Sequence, residues 1–600
     1  MRNQLLEPLK YYEQSGKSEQ EQNARAYFER LLEKSKVDVA ENKKTADEYR
    51  KQALRAQSVL KRVTSLKVWL GFLIFFTVVA FIVAVVGLSV IEGLGRVLTP
   101  IIAVLVGVAC LLLIFLKIKP ELKQATELYK REQAKAQELL DKANAQTAPL
   151  NSLFTERDAL NLIEKTMQGI VKFTPEFSTE LEDEFAKNYD FSDAINYNQS
   201  VVDTLAGRLC GNPFVFYRYK DHTMGLKSYH GTKVISYYVT VRDSDGRTRR
   251  VLRTQTLHAT VSKPYPYYSY KTALNYGHQS APDLRFSRVA TDVETLTDKQ
   301  VERRVKKGEK KLQKKAEKAL AQGQDFTEMT NSEFEVLFGA TNRNHEVQFR
   351  MLFSPLAQNN MVDLLRSPVG YGDDFNYYKS GRYNLIESEH AQRWTMHASP
   401  DNYYSYDVEL IRKKFVDFNN AYFKSVFFDF APLLSTPAYQ EPPASVFEPL
   451  QGYDKNNTYY EHEAMANAVG ALNFAHPSTA TDVILKTKLL SSQDKTDCVE
   501  VTANSYRAED RLDFVSVLGG DGRMHAVPVP WTEYLPVQRV SQMAVRKYGY
   551  LYSEYKQKIN EAGLKNALWN TPNAYFHGLF AKIIDGDELT SINGVLDKLK

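Results

Sequence analysis

Cysteine is nearly absent from this chain: Cys110, Cys210 and Cys498 are the three in 600 residues. Thiols so few and so widely spaced exclude a disulfide framework and a cysteine-rich zinc or iron–sulfur centre. The sequence also lacks the GxxxxGK[ST] phosphate loop, a GxGxxG after a strand and a GxSxG nucleophile elbow. Its 11 histidines are dispersed and show no metal-ligand spacing. His462 and Glu463 begin an HEAMA string, but Ala466 stands where a zinc protease places its second histidine. GYGDD at 370–374 reads as a turn. No cofactor or metal is expected from these patterns. A catalytic site assembled from distant residues stays open, because such sites leave no local signature.

Charge is missing from two stretches. Residues 68–91 (VWLGFLIFFTVVAFIVAVVGLSVI) and 97–116 (VLTPIIAVLVGVACLLLIFL) contain no Asp, Glu, Lys or Arg. As helices rising 1.5 Å per residue they reach roughly 36 and 30 Å, enough for a hydrocarbon core of about 30 Å. The mean hydropathy of −0.41 hides them. Arg50, Lys51, Arg55, Lys61, Arg62 and Lys67 precede the first run, and Lys117, Lys119, Lys123, Lys130, Arg131 and Lys135 follow the second. The positive-inside rule then predicts a two-span protein with both termini cytoplasmic. The connection at 92–96 leaves no external domain for a receptor or secreted enzyme. Ala80, Ala84, Ala103 and Gly107 form small-xxx-small pairs that let helices approach closely, either within one hairpin or between copies.

Residues 19–66 and 117–147 are rich in Glu, Lys, Gln and Ala, with apolar residues at three- and four-residue spacings. They predict an antiparallel helical stalk with a coiled-coil-like but Ala-rich seam. The division expected is a helical arm at 1–67, a transmembrane hairpin at 68–116, a stalk at 117–150, an α+β unit at 151–296, a basic helix at 297–322, an α/β unit at 323–440 and a C-terminal α+β unit at 441–600. The fold class is α+β, with antiparallel β-hairpins in the large mixed region.

Helices are expected at 156–171, 191–209, 332–339, 355–365, 409–423, 459–474 and 531–555, and through most of the last thirty residues, with a strand at 347–353. The acidic run at 180–184 reads as a solvated helix face, and 432–449 as a Pro-rich loop. Alternating Val, Ile, Thr and Tyr predict a hairpin at 233–242/247–261 and another at 512–518/523–529. Their turns align as VTVRDSDGR and VSVLGGDGR, which either an internal duplication or shared turn chemistry explains.

Between Lys299 and Lys318 stand ten Lys or Arg and three Glu, a local charge of +7 against +5 for the whole chain. Arg303, Arg304, Lys306, Lys307, Lys310, Lys311, Lys314 and Lys315 carry this face. Three readings compete: a solvated helix, contact with anionic lipid, and nucleic acid. No zinc finger, helix-turn-helix or RNA-binding signature supports the last. The 36 Tyr and 31 Phe outnumber 4 Trp, and Tyr-rich strands suit either sheet packing or protein contact.

The segment FEVLFGATNRNHEVQFRMLFSPLAQNNMVDLL (334–365) resembles bacterial membrane proteins that carry a two-span hairpin followed by a cytoplasmic α/β region. The resemblance implies a bacterial plasma (inner) membrane protein and carries no activity or site residue. The function expected is a membrane-anchored scaffold that recruits a protein partner or assembles with itself. The alternatives are an oligomeric channel or transport accessory and a membrane-bound enzyme with an unrecognised site.

Overall fold

A computed structural model of the chain describes residues 5–90, 95–174, 177–191, 196–242, 246–393, 396, 398–443, 457–493, 496–548, 552–561, 572–576 and 578–584. Two compact units result. A helical unit comprises Ala24–Phe154 and Pro400–Phe418; a mixed unit comprises Met1–Asn23, Thr155–Ser399 and Asn419–Lys600. The α+β class stands.

In the helical unit, one 52-residue helix, Val39–Val90, lies antiparallel to Gly95–Leu113, a π-turn at Ile114–Ile118 and Lys119–Asn151. Two helices are long and apolar enough to cross a membrane. Most of that apolar surface is exposed, as at Phe81 (72%) and Leu116 (75%), so these are not the buried helices of a soluble core. Below it the seam is small: Ala46, Ala56, Ala125, Ala136 and Ala143 are buried. Gln52 Nε2 donates to Glu132 Oε2 at 2.6 Å, and Val63 and Leu66 pack on Ala125. Residues 400–418 close the far end. Asn42 Nδ2 donates to the Tyr406 carbonyl at 3.0 Å, and Phe154 packs on Tyr403 and Phe415.

The mixed unit holds two antiparallel sheets. The first contains β1 (Val171–Phe173), β2 (Gln199–Leu209), β3 (Asn212–Arg242), β4 (Thr248–Gly277), β5 (Arg285–Arg288), β6 (Phe375–Ser380) and β7 (Tyr383–Ser388), in spatial order β1-β2-β3-β4-β7-β6-β5. The second contains β8 (Ile484–Gln493), β9 (Thr496–Leu518), β10 (Met524–Lys547), β11 (Asn573–Phe576) and β12 (Leu579–Ile584), in order β11-β12-β10-β9-β8. Helix Tyr459–Phe474 lies between them. Its Tyr460 and Ala464 join Phe185, Val201 and Val215 of the first layer; its Met465, Ala466 and Val469 join Leu485, Val499 and Val545 of the second.

The expected hairpins are present and much longer than the alternation suggested. Each belongs to a three-stranded meander, β2–β3–β4 or β8–β9–β10, whose first strand carries a register shift, at Val201/Asp203 and at Leu489/Ser491. A capped helix precedes each meander, and the two caps meet: Ser178 and Asn457 form an antiparallel bridge. The 519–522 turn closes through Gly519, whose N–H and C=O pair with Arg523 O and Gly522 N. Gly522 alone in that turn has positive φ (76°), so a left-handed glycine after the bend closes it. Residues 243–245 of the other turn lie outside the described residues.

Several local expectations are corrected. Residues 199–209 form β2, not a helix. The two-residue turn Cys210–Gly211, with φ of 52° and 91°, hands the chain straight into β3, a hairpin signal masked by the Leu and Ala of TLAGRL. The helix begun near 156 covers Asp158–Thr166, and Val171 already belongs to β1. Residues 347–353 form no strand: His345 caps helix Glu346–Leu352, and its Phe349 and Leu352 are buried on one face. Residues 531–547 continue β10, and helix resumes only at Tyr552–Glu561. β11 and β12 occupy part of the supposedly helical C-terminus; 585–600 lie outside the described residues. Helix Val408–Leu434 runs through Pro432, followed by a short turn at Pro437–Gln440, and 444–449 lie outside the described residues. The acidic run forms helix Thr179–Asn188, but Glu184 is buried and receives two hydrogen bonds from Arg208, at 3.1 and 2.5 Å.

Candidate functional site

Both long hairpins outrun their sheets. Beyond Asp221 β3 pairs only with β4, and between Tyr506 and Gln538 β9 and β10 pair only with each other. The free parts are two-stranded arms, and they pack face to face. Ile235, Leu257 and Ala259 of one arm meet Val527 and Val529 of the other, ringed by Tyr229, Tyr237, Val261, Val515 and Val517. Gly231 permits the approach: a Cβ there would sit 2.0 Å from the Pro528 carbonyl oxygen. Polar links flank this apolar centre. Lys263 pairs with Asp513 at 2.6 Å and lies 4.3 Å over the Trp531 ring; the Gly520 N–H donates to Gln255 at 2.7 Å; Tyr265 and Tyr534 meet edge-to-face at 5.1 Å. The Tyr-rich strand of the sequence thus contributes to the seam between arms.

The outer face of the β3/β4 arm is unlike a solvated ribbon. Seven successive cross-strand pairs, Leu226–Pro264, Ser228–Ser262, His230–Thr260, Thr232–His258, Val234–Thr256, Ser236–Thr254 and Tyr238–Leu252, are exposed and hold no Asp, Glu, Lys or Arg. The outer face of β9/β10 has four such pairs, Leu512–Pro530, Phe514–Pro528, Ser516–Ala526 and Leu518–Met524. There Leu512, Phe514, Leu518 and Met524 are 53–65% exposed. An antiparallel ribbon ordinarily shows its polar side to water and blunts its edges with charge. Here the charges lie on the covered side.

Three buried polar clusters lie elsewhere in the mixed unit. Glu463 Oε1 receives Lys486 Nζ at 2.7 Å and its Oε2 receives the Val201 N–H at 2.8 Å, while neighbouring His462 contacts Asp497 at 3.0 Å. The HEAMA string therefore serves packing between the sheets. Burial pushes the Glu463 carboxyl up to about 7, against the opposing pull of Lys486. The GYGDD turn holds two buried contacts: Asp373 pairs with Arg288, and Asp374 receives His390 Nδ1 at 2.6 Å, with Tyr371 stacked on that ring at 3.9 Å. Asp429 lies 3.3 Å from His390 Nε2, and burial raises its carboxyl to about 6. Lys379, fully buried, donates to the Ser280 and Gly381 carbonyls at 3.1 and 2.7 Å, and burial lowers it to about 7. None of these residues was singled out as a site, because each pairs across many positions of sequence.

The expected membrane-packing residues do meet within one chain. Ala80, Ala84 and Ala103 are each 8% exposed amid exposed neighbours, and a Cβ on Gly107 would lie 3.7 Å from that of Ala80. The basic stretch forms helix Asp298–Ala321, started by a capping box of Thr297 and Gln300. Its Val301, Leu312 and Ala319 are buried, and the Leu312–Ala319 side packs on Phe326 and Val336. Arg304 turns to Asp292 and Lys315 to the Thr341 carbonyl, while Arg303, Lys306, Lys307, Lys310, Lys311 and Lys314 are exposed. Cys210 and Cys498 are buried and free. Among the described residues no group of three or more His, Cys, Asp or Glu is arranged to hold a metal ion. In comparisons with known proteins, no family model, curated protein or solved structure matches the chain.

Proposed function

We propose that this protein is a membrane-anchored scaffold, held by the 68–116 hairpin in a bacterial plasma membrane with both termini cytoplasmic, that recruits a protein partner. The observation that carries this reading is the pair of exposed, charge-free faces on the β-arms, since exposed apolar patches rimmed by polar residues mark protein contact. Anchoring is supported by the exposed apolar flanks of the two helices and by the basic residues on both sides of the hairpin. The exposed face of the basic helix, Arg303, Lys306, Lys307, Lys310, Lys311 and Lys314, suits anionic headgroups, each charge near the surface contributing about 1 kcal/mol.

The channel alternative has less behind it. Thr77, one of the few polar residues in the spans, donates to the Leu73 carbonyl of its own helix at 2.7 Å and so offers little to a pore. The scaffold reading is tested by cross-linking in cells followed by mild detergent extraction and mass spectrometry. A stoichiometric protein partner or self-assembly is expected. Recovery of the chain alone, as a monomer, sinks the reading.

A further inference from the structure

We propose that a second copy of this chain docks on the β-arms, the outer face of β9/β10 in one copy lying on the outer face of β3/β4 in the next. The inference rests on the scaffold reading and names the chain itself as an occupant of the exposed faces.

Three observations support this occupant. The contact is continuous with one already made inside each chain. There a β3/β4 face and a β9/β10 face pack through aliphatic centres, Ile235, Leu257 and Ala259 on Val527 and Val529. Docking outer face on outer face extends the same alternation of layers into a neighbouring molecule. The two outer faces also match in charge, because neither holds any. No side chain of the seven-pair face would leave a charge buried opposite Phe514 or Met524. Burying an unpaired charge would cost far more than such a contact returns. Lastly, the faces are complementary in kind. One is apolar and protruding (Leu512, Phe514, Leu518, Met524), while the other alternates small hydroxyl residues with Leu226, Val234, Tyr238 and Leu252.

Size sets the regime. Seven residues of β9 from Leu512 to Leu518 extend roughly 23 Å, and two strands with their side chains are about 10 Å wide. One contact therefore covers only a few hundred Å² per copy, below the roughly 800 Å² per partner of stable complexes. It forms where anchoring raises the effective concentration, and not in dilute detergent. Since the two patches differ, the contact is heterologous and propagates into a row or ring.

The test uses full-length chains carrying Cys110→Ser, with the buried Cys210 and Cys498 kept. Two differently tagged populations, Thr256→Cys and Phe514→Cys, are reconstituted together into vesicles and treated with a short bis-maleimide. The mixed Thr256→Cys/Phe514→Cys product is expected at least ten-fold above either like-with-like product and above a Lys310→Cys control. Adding Leu512→Asp and Leu518→Asp to the Phe514→Cys chain, both at exposed positions, should remove it while circular dichroism and the unfolding midpoint stay unchanged. A mixed product no greater than the like pairs or the control overturns the inference, and so does one that survives the aspartates. Capture of a different protein on Phe514 in cells, without the mixed product, also overturns it yet leaves the scaffold standing. Absence of both partner and self-contact sinks the scaffold as well.

Discussion

Glu463 and Lys486 form a buried ion pair at 2.7 Å, and the second carboxylate oxygen of Glu463 accepts the Val201 N–H at 2.8 Å. One side chain on the central helix thereby ties β2 of the first sheet to β8 of the second. Asn467, one turn on, adds bonds to Ser200 Oγ and the Val201 carbonyl, both at 2.8 Å.

Removing one partner strands the other in a low-dielectric interior. Lys486→Met or Glu463→Ala should each cost about 3–5 kcal/mol. The double variant Glu463→Met/Lys486→Met should cost less than the sum, because no buried charge remains. Denaturant titration of the detergent-solubilised protein measures this. Additive single-variant costs would show that the pair does not act as a unit.

The His390 cluster predicts a pH dependence. Burial alone would lower His390, but Asp429 and Asp374 outweigh it and the imidazole is raised; Asp429 is raised to about 6 by burial. Both shifts have the same sign. A raised acid or base contributes stability that is complete below its unfolded value, near 3.9 for Asp and 6.5 for His, and is lost as pH rises through the folded value. The unfolding midpoint should therefore decline from pH 4 to 8. Asp429→Asn should flatten that decline, since it removes one titration and weakens the other. Equal slopes in wild type and Asp429→Asn, followed by thermal scans in matched buffers, would contradict the assignment.

Gly231→Val is expected to separate the two arms. A Cβ at this position meets the Pro528 carbonyl oxygen at 2.0 Å, and backbone cannot step aside as a side chain can. A cost of about 1–3 kcal/mol is expected, confined to the arms. Limited proteolysis should then cut within 505–540 while the helical unit resists; an unchanged cleavage pattern counts against the packing described.

The small residues of the apolar helices predict an intrachain link. Ala84→Cys and Ala103→Cys lie four residues from Ala80 and Gly107 in opposite directions along antiparallel helices, so they should face each other. Oxidation of the double variant, in a Cys110→Ser background, should give a disulfide that shifts gel mobility without doubling the mass. A product at twice the mass would place these positions between copies.

The first two predictions concern residues that sequence patterns passed over, and the reason is distance along the chain. Glu463 meets Val201 262 positions away, and His390 meets Asp429 across 39 residues with Asp374 on the opposite side. A run such as HEAMA or GYGDD shows which groups are available but not what faces them. The Cys210–Gly211 turn was legible in principle, yet the Leu and Ala of β2 imitate a helix when only the local period is considered.

What the sequence determined alone is whatever depends on neighbours in the chain: two uncharged runs long enough to cross a membrane, Ala-spaced helices beside them, a basic helix, and alternating strands that bend at Asp-Gly. Tertiary structure decided how far those strands continue, since residues 531–547 become β10 only through pairing with β9. It also decided which side of each arm is covered. Alternation of side chains sorts residues onto two faces but does not say which face meets a partner. Packing of Val527 and Val529 on Leu257 and Ala259 settles that, and leaves the uncharged rows outside.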